Sequence, residues 1–312
     1  MAIATLPAAK QYWVYLAATF ALSLGAYLFR SRRPSLRGMM RFCLPWRIFG
    51  HPSARADYQI WVINAAVVAA LSPILIGSGV ASYHGMSFAM RSIVGVEYLG
   101  WSAGPLAICI GTILNLLALD LSLFITHYAS HRIPILWEFH KVHHSEAVLT
   151  PFTVFRVHPV ELMFNLTAGA IIANATSALV VFCFGADPAL TVGGLNVLEM
   201  AFYFAGYHLR HSHVWIMYPG WIGRHISSPA LHLIHHSVAI EHRDKNLAQI
   251  FTLWDRLAGT LYLPKKREHI VFGIGDGQDA DYQTLGDLYL NPLRAVAHSI
   301  SPVIRAAARL RE

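Results

Sequence analysis

Long apolar runs separated by short polar stretches fill the first two-thirds of the chain. Tyr12 to Phe29 holds eighteen residues without a charge, just enough for a helix to cross a bilayer. No small-residue cleavage site follows it, and its basic residues Arg30, Arg32 and Arg33 lie behind the apolar run. A cleavable leader carries its charge in front, so this reads as an uncleaved first span. Residues 30–57, basic and containing Pro34 and Pro45, read as a linker or interfacial segment. Ile60 to Ala81 is a second span with a kink at Pro73. Residues 82–103 read as a loop dipping into the interface at Tyr98 and Trp101. Pro105 to Thr126 is a third span. Leu162 to Phe184 and Leu190 to Tyr207 flank the turn Gly185-Ala186-Asp187-Pro188 and read as a membrane hairpin. Beyond His208 no run is long enough to cross, and Trp215, Tyr218 and Trp221 put this part against the interface. Residues 263–312 read as a soluble tail whose end, from Leu293, is amphipathic and carries Arg294, Arg305, Arg309 and Arg311. The expected fold is an all-α integral membrane protein with about five transmembrane spans, the last two a hairpin, and a cytoplasmic helical cap.

Composition agrees with membrane: 55% of residues are hydrophobic and 13% charged, against about 25% charged in soluble domains. The net charge of +7 is unevenly distributed. Five spans leave Lys10 and Arg91 on the N-terminal side and the other 22 Lys and Arg residues opposite. Even without the long segment after the last span the ratio is ten to two. The excess marks the second side as cytoplasmic and puts the N-terminus outside, in what reads as a bacterial inner membrane. The charge is therefore topological and not a nucleic-acid footprint. Cys43, Cys109 and Cys183 form no CxxC pair, which excludes a disulfide framework or a zinc-thiolate site.

Histidine is the outlier. Fourteen of 18 fall between His127 and His242, and the out-and-back hairpin keeps all of them on one side. His127 and His131 are four apart; His140 pairs with His143 and His144, and His232 with His235 and His236, at three and four. Residues at these spacings share a helical face, so each set is expected to aim its imidazoles at one point as ligands for Zn, Fe, Cu or Ni. Asp120 falls within about 40° of the His127 and His131 face. A carboxylate inside a span faces a partner by default, and a ligand N–H is the expected one. Glu199 is a weaker intramembrane acid. Arg156, His158 and Glu161 sit at the mouth of the fourth span. His208, His211 and His213 follow the fifth, the first two on a common face, while His225 and His242 are isolated.

These residues resemble the fatty acid hydroxylase / sterol desaturase superfamily, whose pattern is HxxxH, HxxHH and a later HxxHH. Here the boxes read HYASH, HKVHH and HLIHH. Flanking matches are Asp120, His131-Arg132, Leu136-Trp137, Arg156-Val157-His158-Pro159, Ser228-Pro229, Asn246, Trp254-Asp255-Arg256 and Gly259-Thr260, with Ser53 and Asp57 upstream. The likeness covers roughly residues 50–265 and is strongest to bacterial sterol desaturase-like members. It implies a membrane catalytic domain over 59–265, between an N-terminal span with basic linker (1–58) and a cytoplasmic C-terminal tail (266–312). It also implies two iron ions held by His127, His131, His140, His143, His144, His232, His235 and His236. His211 is the ninth ligand, in a middle element reading Leu209-Arg210-His211-Ser212-His213-Val214. Arg210 and His213 replace the usual glutamine and asparagine, and His208 is a candidate tenth ligand. Asp120, Arg156, His158 and Asn246 are supporting residues, with His213, His242 and Glu199 as further candidates.

The activity implied is O2-dependent hydroxylation of a lipid such as a sterol or fatty acyl chain, or desaturation on the same scaffold. The chain has no GxGxxG after a strand and no CxxC set. Electrons are therefore expected from an external ferredoxin or cytochrome b5-like donor with its reductase. Two readings of another class compete. A metal transporter places ligands at the bilayer midplane in repeated halves, and neither is seen. A b-type cytochrome needs sparse histidine pairs inside the membrane, whereas these boxes are dense and terminal.

Overall fold

The computed structural model describes residues 13–102 and 104–309, with side chains as far as residue 300. Lys10, Tyr12 and Arg311, and the side chains of Arg305 and Arg309, lie outside the described residues. Among those described, four helices are long and apolar enough to cross a membrane: α1 (Trp13–Arg30), α4 (Pro52–Val94), α5 (Pro105–Arg132) and α7 (Pro159–Phe184). Between α1 and α4 lie the short helices α2 (Leu36–Cys43), capped by the Ser35 hydroxyl, and α3 (Trp46–Phe49). Helices α4, α5 and α7, and also α6 (Pro134–His144) and α10 (Pro229–His235), start on proline. Its missing N–H and fixed φ suit the first helical position. Pro134 also ends α5, because Ile133 before it is forced into extended conformation.

Two expectations are corrected. Residues 82–94 are not a loop: α4 continues through Gly85 to Val94 and stops at Gly95, whose φ of 76° needs a glycine. Its 43 residues make a helix of about 65 Å, twice the ~30 Å hydrocarbon core. The extra length starts in the cap, where Ser53 and Asp57 are buried. Close packing on α7 supports the rest. A Cβ at Gly79 would lie 2.7 Å from Asn174 Nδ2, and Ser82 donates to the Ile171 carbonyl at 2.7 Å. Small residues permit this approach between membrane helices.

The second correction concerns Leu190 to Tyr207, which is not a span-length helix. It folds as β1 (Thr191–Val192) and β2 (Leu195–Asn196), an antiparallel pair turned by Gly193 and Gly194 at φ 57° and 80°. Two successive positive φ values define the two-residue hairpin turn that glycine pairs favour. The eight-residue α8 (Val197–Phe204) follows and ends before Gly206, φ 108°. The segment runs back along α5 in this irregular form. Thr112 Oγ1 accepts from Leu190 N–H at 2.9 Å, and the Thr112 carbonyl accepts from Asn196 Nδ2 at 2.7 Å. The chain then descends along α5 through Leu195, Phe202, Tyr203 and Tyr207, which pack with Leu116, Tyr15 and Ile250.

The cap lies at the His131 end of α5. It comprises α6, the 3-10 turn Tyr207–His211, α9 (Gly220–Gly223), α10 and α11 (Leu253–Ala258). The segment after residue 265 docks on α6 and the start of α4 through Ile274, Tyr282 and, within α12 (Leu285–Arg309), Leu288, packed with Ala56, Ile60 and Val142.

Candidate metal centre

The cap gathers nine histidines into two adjacent groups. His127, His131, His140, His144 and His235 form one; His143, His211, His232 and His236 form the other. In each group one ring nitrogen per residue lies within 4.8 Å of all the others. The expectation that each histidine box aims at one point holds for His127 and His131 and is corrected for the other two boxes. On α6 the i, i+4 pair His140 and His144 serves the first group while His143 serves the second; on α10 His232 and the capping His236 serve the second while His235 serves the first. Residues i+3 and i+4 differ by about 100° around a helix axis, so each of these two boxes feeds two points.

Backbone and carboxylate acceptors fix which nitrogen faces inward. Nδ1 of His127 donates to the Leu247 carbonyl (2.7 Å), of His143 to the Arg156 carbonyl (3.2 Å) and of His235 to the Lys245 carbonyl (3.0 Å). His140 Nδ1 meets Glu161 at 2.7 Å and His131 Nδ1 meets Asp244 at 3.1 Å. His236 Nδ1 lies 2.7 Å from a Glu146 carboxylate oxygen. This leaves Nε2 lone pairs converging. Nε2 to Nε2 separations are 2.9 Å for His232 and His211, 3.1 Å for His236 and His232, and 3.2 Å for His144 and His140. Ligands about 2.0–2.1 Å from one ion stand roughly 3 Å apart. The Nε2 atoms of His131 and His235 are buried without a hydrogen-bond partner. Buried lone pairs aimed at each other are unfavourable unless a cation lies between them, so the residues fit metal. Burial, then neighbouring imidazoles, holds His143 down to about 3 and His144, His211, His232, His235 and His236 well below the ordinary imidazole value. Neutral rings are the ligating form.

Other expected residues sit around the cages. Asp120 does not touch a ligand ring. Its carboxylate accepts from Ile250 N–H (2.8 Å), Phe251 N–H (2.9 Å) and Trp254 Nε1 (2.8 Å). It pins the loop that presents the Leu247 and Lys245 carbonyls. Buried Arg156 pairs with Asp57 at 2.9 Å and donates to the Val142 carbonyl and Ser145, fixing α6 to α4. His158 caps α7 and donates from Nε2 to the Tyr289 carbonyl at 3.1 Å. Asn246, at φ 56°, donates to the Leu231 carbonyl and accepts from Tyr262 N–H, holding α10 in place.

His208 is buried beside the Tyr207 ring and belongs to neither group. His213 donates to the Phe42 carbonyl, His242 lies 2.8 Å from Glu268, and Glu199 accepts from the Tyr203 hydroxyl; none joins the cages. Buried Arg210 stacks on Tyr207 and Phe202 and donates to the Gln249 carbonyl, which secures the turn carrying His211. Sequence reasoning missed Glu146 and Asp244. The available signal for Glu146 was an acid two residues after the second histidine box in a chain with only 17 acids; nothing marked Asp244.

The family model of fatty acid hydroxylases matches residues 112–260, the stretch that holds all nine histidines. Over these residues the chain is similar to fatty acid hydroxylases. It is also similar to the ornithine lipid hydroxylase OlsE of Rhizobium tropici, 29% identical over 163 residues, which cover 52% of this chain and 45% of the relative. The match thus spans about half the length of that curated relative. No solved structure matches.

Proposed function

We propose that the chain is a membrane oxidoreductase that hydroxylates a lipid, with one iron held by His127, His131, His140, His144 and His235 and a second by His143, His211, His232 and His236. The observation that carries this reading is the pair of adjacent imidazole cages, in each of which Nε2 atoms converge. When bound, the two irons supply activation of O2 for insertion of one oxygen into a C–H bond. The protein orients the rings, through Glu161, Asp244 and Glu146 and through the loop that Asp120 braces. It also excludes water from the four-histidine side, where every ring is buried. Electrons come from a separate one-electron carrier such as a ferredoxin or cytochrome b5-like protein with its reductase. The uneven Lys and Arg distribution supports a cytoplasmic cap, with the N-terminus outside a bacterial inner membrane. Ornithine-containing lipids are the first substrates to try, given the similarity to OlsE.

The test compares lipid extracts of a deletion strain and its parent by mass spectrometry. A parental species heavier by one oxygen than its counterpart in the deletion strain is the expected result. A species lighter by two hydrogens would instead identify a desaturase, and unchanged lipids would reject both.

A further inference from the structure

Two cavities adjoin the cap. One, about 290 Å³, is polar, and the five-histidine cluster opens onto it through His131, His144 and His235. The other, about 150 Å³, is lined mainly by apolar residues, and none of the nine clustered histidines reaches it. Leu16 and Phe20 of α1, Leu44 and Phe49 from the α2–α3 segment, Phe152, and Leu209 beside His211 form its walls. Phe20 and Leu44 are also exposed, so this cavity opens outward. Its α1 residues lie 7 to 14 positions before Arg30 at the end of that span, about 10–20 Å along the helix and so at hydrocarbon depth. The segment from Arg30 to Arg55 holds seven arginines and no acid. All seven are exposed, and the Lys and Arg ion pairs among the described residues involve Arg91, Arg132, Lys141 and Arg156 instead. On α2, Leu36 and Met40 stand one turn apart, 74% and 45% exposed. Arg37 and Arg41 form a parallel row about 100° round the axis. The opposite face is occupied by the protein: Cys43 is buried, and the Phe42 carbonyl accepts from His213 Nε2 at 2.6 Å.

An exposed apolar row beside an arginine row is the pattern of a helix lying in the plane of a bilayer surface. The positive-inside rule accounts for the arginines but not for the apolar row, nor for the cavity that Leu44 walls. We propose that α2 and the apolar cavity together form a site for one anionic phospholipid. Its phosphate lies between Arg37 and Arg41, and part of one acyl chain enters the cavity. Charge complementarity selects this occupant: arginines without a carboxylate partner at a lipid surface favour anionic heads, and their planar forks meet phosphate oxygens in pairs. The depth of the cavity below Arg30 matches a chain hanging from a head at the surface. The cavity is smaller than the roughly 300–1,000 Å³ of sites that enclose a whole ligand, so most of the lipid stays in the bilayer. The bound chain packs against Leu209 and ties α1 and α2 to the turn that carries His211. Neither cage supplies a group to this site, so it stands independently of the hydroxylase reading.

Two measurements decide it. Native mass spectrometry of the purified full chain compares retention of phosphatidylglycerol and phosphatidylcholine with matched acyl chains. Preferential retention of one phosphatidylglycerol per chain is expected. The double variant Arg37→Gln, Arg41→Gln should weaken it about thirtyfold, roughly fivefold for each basic residue at an anionic surface. Equal retention of the two lipids, or no change in the double variant, overturns the proposal. The second measurement uses the unaltered chain and so does not depend on how a variant folds. Phosphatidylglycerol with a photoreactive diazirine on its acyl chain is cross-linked to the full chain in membranes, and the labelled peptides are mapped. Cross-links concentrated in residues 16–23 and 43–49, and displaced by phosphatidylglycerol but not by phosphatidylcholine, are the expected result. Cross-links spread evenly over α4, α5 and α7, or displaced equally by both lipids, overturn the site. Glycerol phosphate, a head without a chain, should not displace the probe; displacement by it would mean that the arginines hold a free anion and the cavity holds no chain.

Discussion

The two imidazole cages share α6 and α10 but differ in how they meet the rest of the protein. The five-histidine cage anchors four of its rings through Nδ1, two of them on the carboxylates of Asp244 and Glu161, and it opens onto the polar cavity. The four-histidine cage is sealed, with its one charged anchor in the Glu146 contact to His236, while His211 Nδ1 has no hydrogen-bond partner. One cage is thus over-determined and accessible, the other sparsely anchored and enclosed. The division suits a pair in which one ion faces substrate and the other is held apart from solvent.

Removing ligands should break the comparison most severely. His211→Ala takes the sealed cage from four rings to three, and iron content should fall from about two ions to about one per chain. His235→Ala should do the same to the open cage, and both should end hydroxylation while membrane insertion persists. His208→Ala, next to the sealed cage but outside it, should keep both ions. Metal analysis of the purified variants checks all three; loss of iron in His208→Ala equal to that in His211→Ala would redraw the cage.

A smaller effect is expected from the carboxylates, and it sharpens the contrast. Loss of a residue that orients a ligand ring commonly costs ten- to a hundredfold in metal affinity or activity. Glu161→Gln leaves Asp244 in the open cage, whereas Glu146→Gln removes the one carboxylate that, among the described residues, forms an ion contact with a ring of the sealed one. Competition with a chelator should therefore show the larger drop in affinity for Glu146→Gln. The reverse order would mean that anchoring is not what separates the cages. Burial holds the Glu146 carboxyl well above its usual range when no cation is near, and a dication acts in the opposite direction, so the two losses should be coupled to metal occupancy.

Much of this was legible in the sequence because its signals are local. Apolar runs marked α1, α5 and α7, box spacing marked eight of the nine clustered histidines, and the family resemblance supplied His211. What escaped depends on packing. Gly85 looked like a break, but α4 runs through it, packed on α7 just before it at Gly79 and Ser82. Hydropathy marked Leu190 to Tyr207 as a span, yet Gly193-Gly194 is a hairpin turn that overrides it. The division of the second and third boxes between two groups depends on where α6 and α10 sit relative to one another, which spacing alone does not encode. Glu146 and Asp244 are acceptors supplied from loops, with no periodic pattern to announce them.

Asp120 gives the gentlest prediction and separates direct from indirect support. Spacing placed it on the His127 face, and it is on that helix, but its three bonds go to the 250–254 segment. Asn at this position has one accepting oxygen, so Asp120→Asn should leave at least one of those donors unsatisfied, a loss of about 1–3 kcal/mol for buried groups. The Leu247 carbonyl that orients His127 would then be held less firmly, without removal of any ligand atom. The expected outcome is a lower thermal midpoint with the iron content unchanged and a modest loss of turnover. Iron depletion as deep as in His235→Ala would instead place Asp120 among the groups that act on the ion directly, and the loop would lose its role as intermediary.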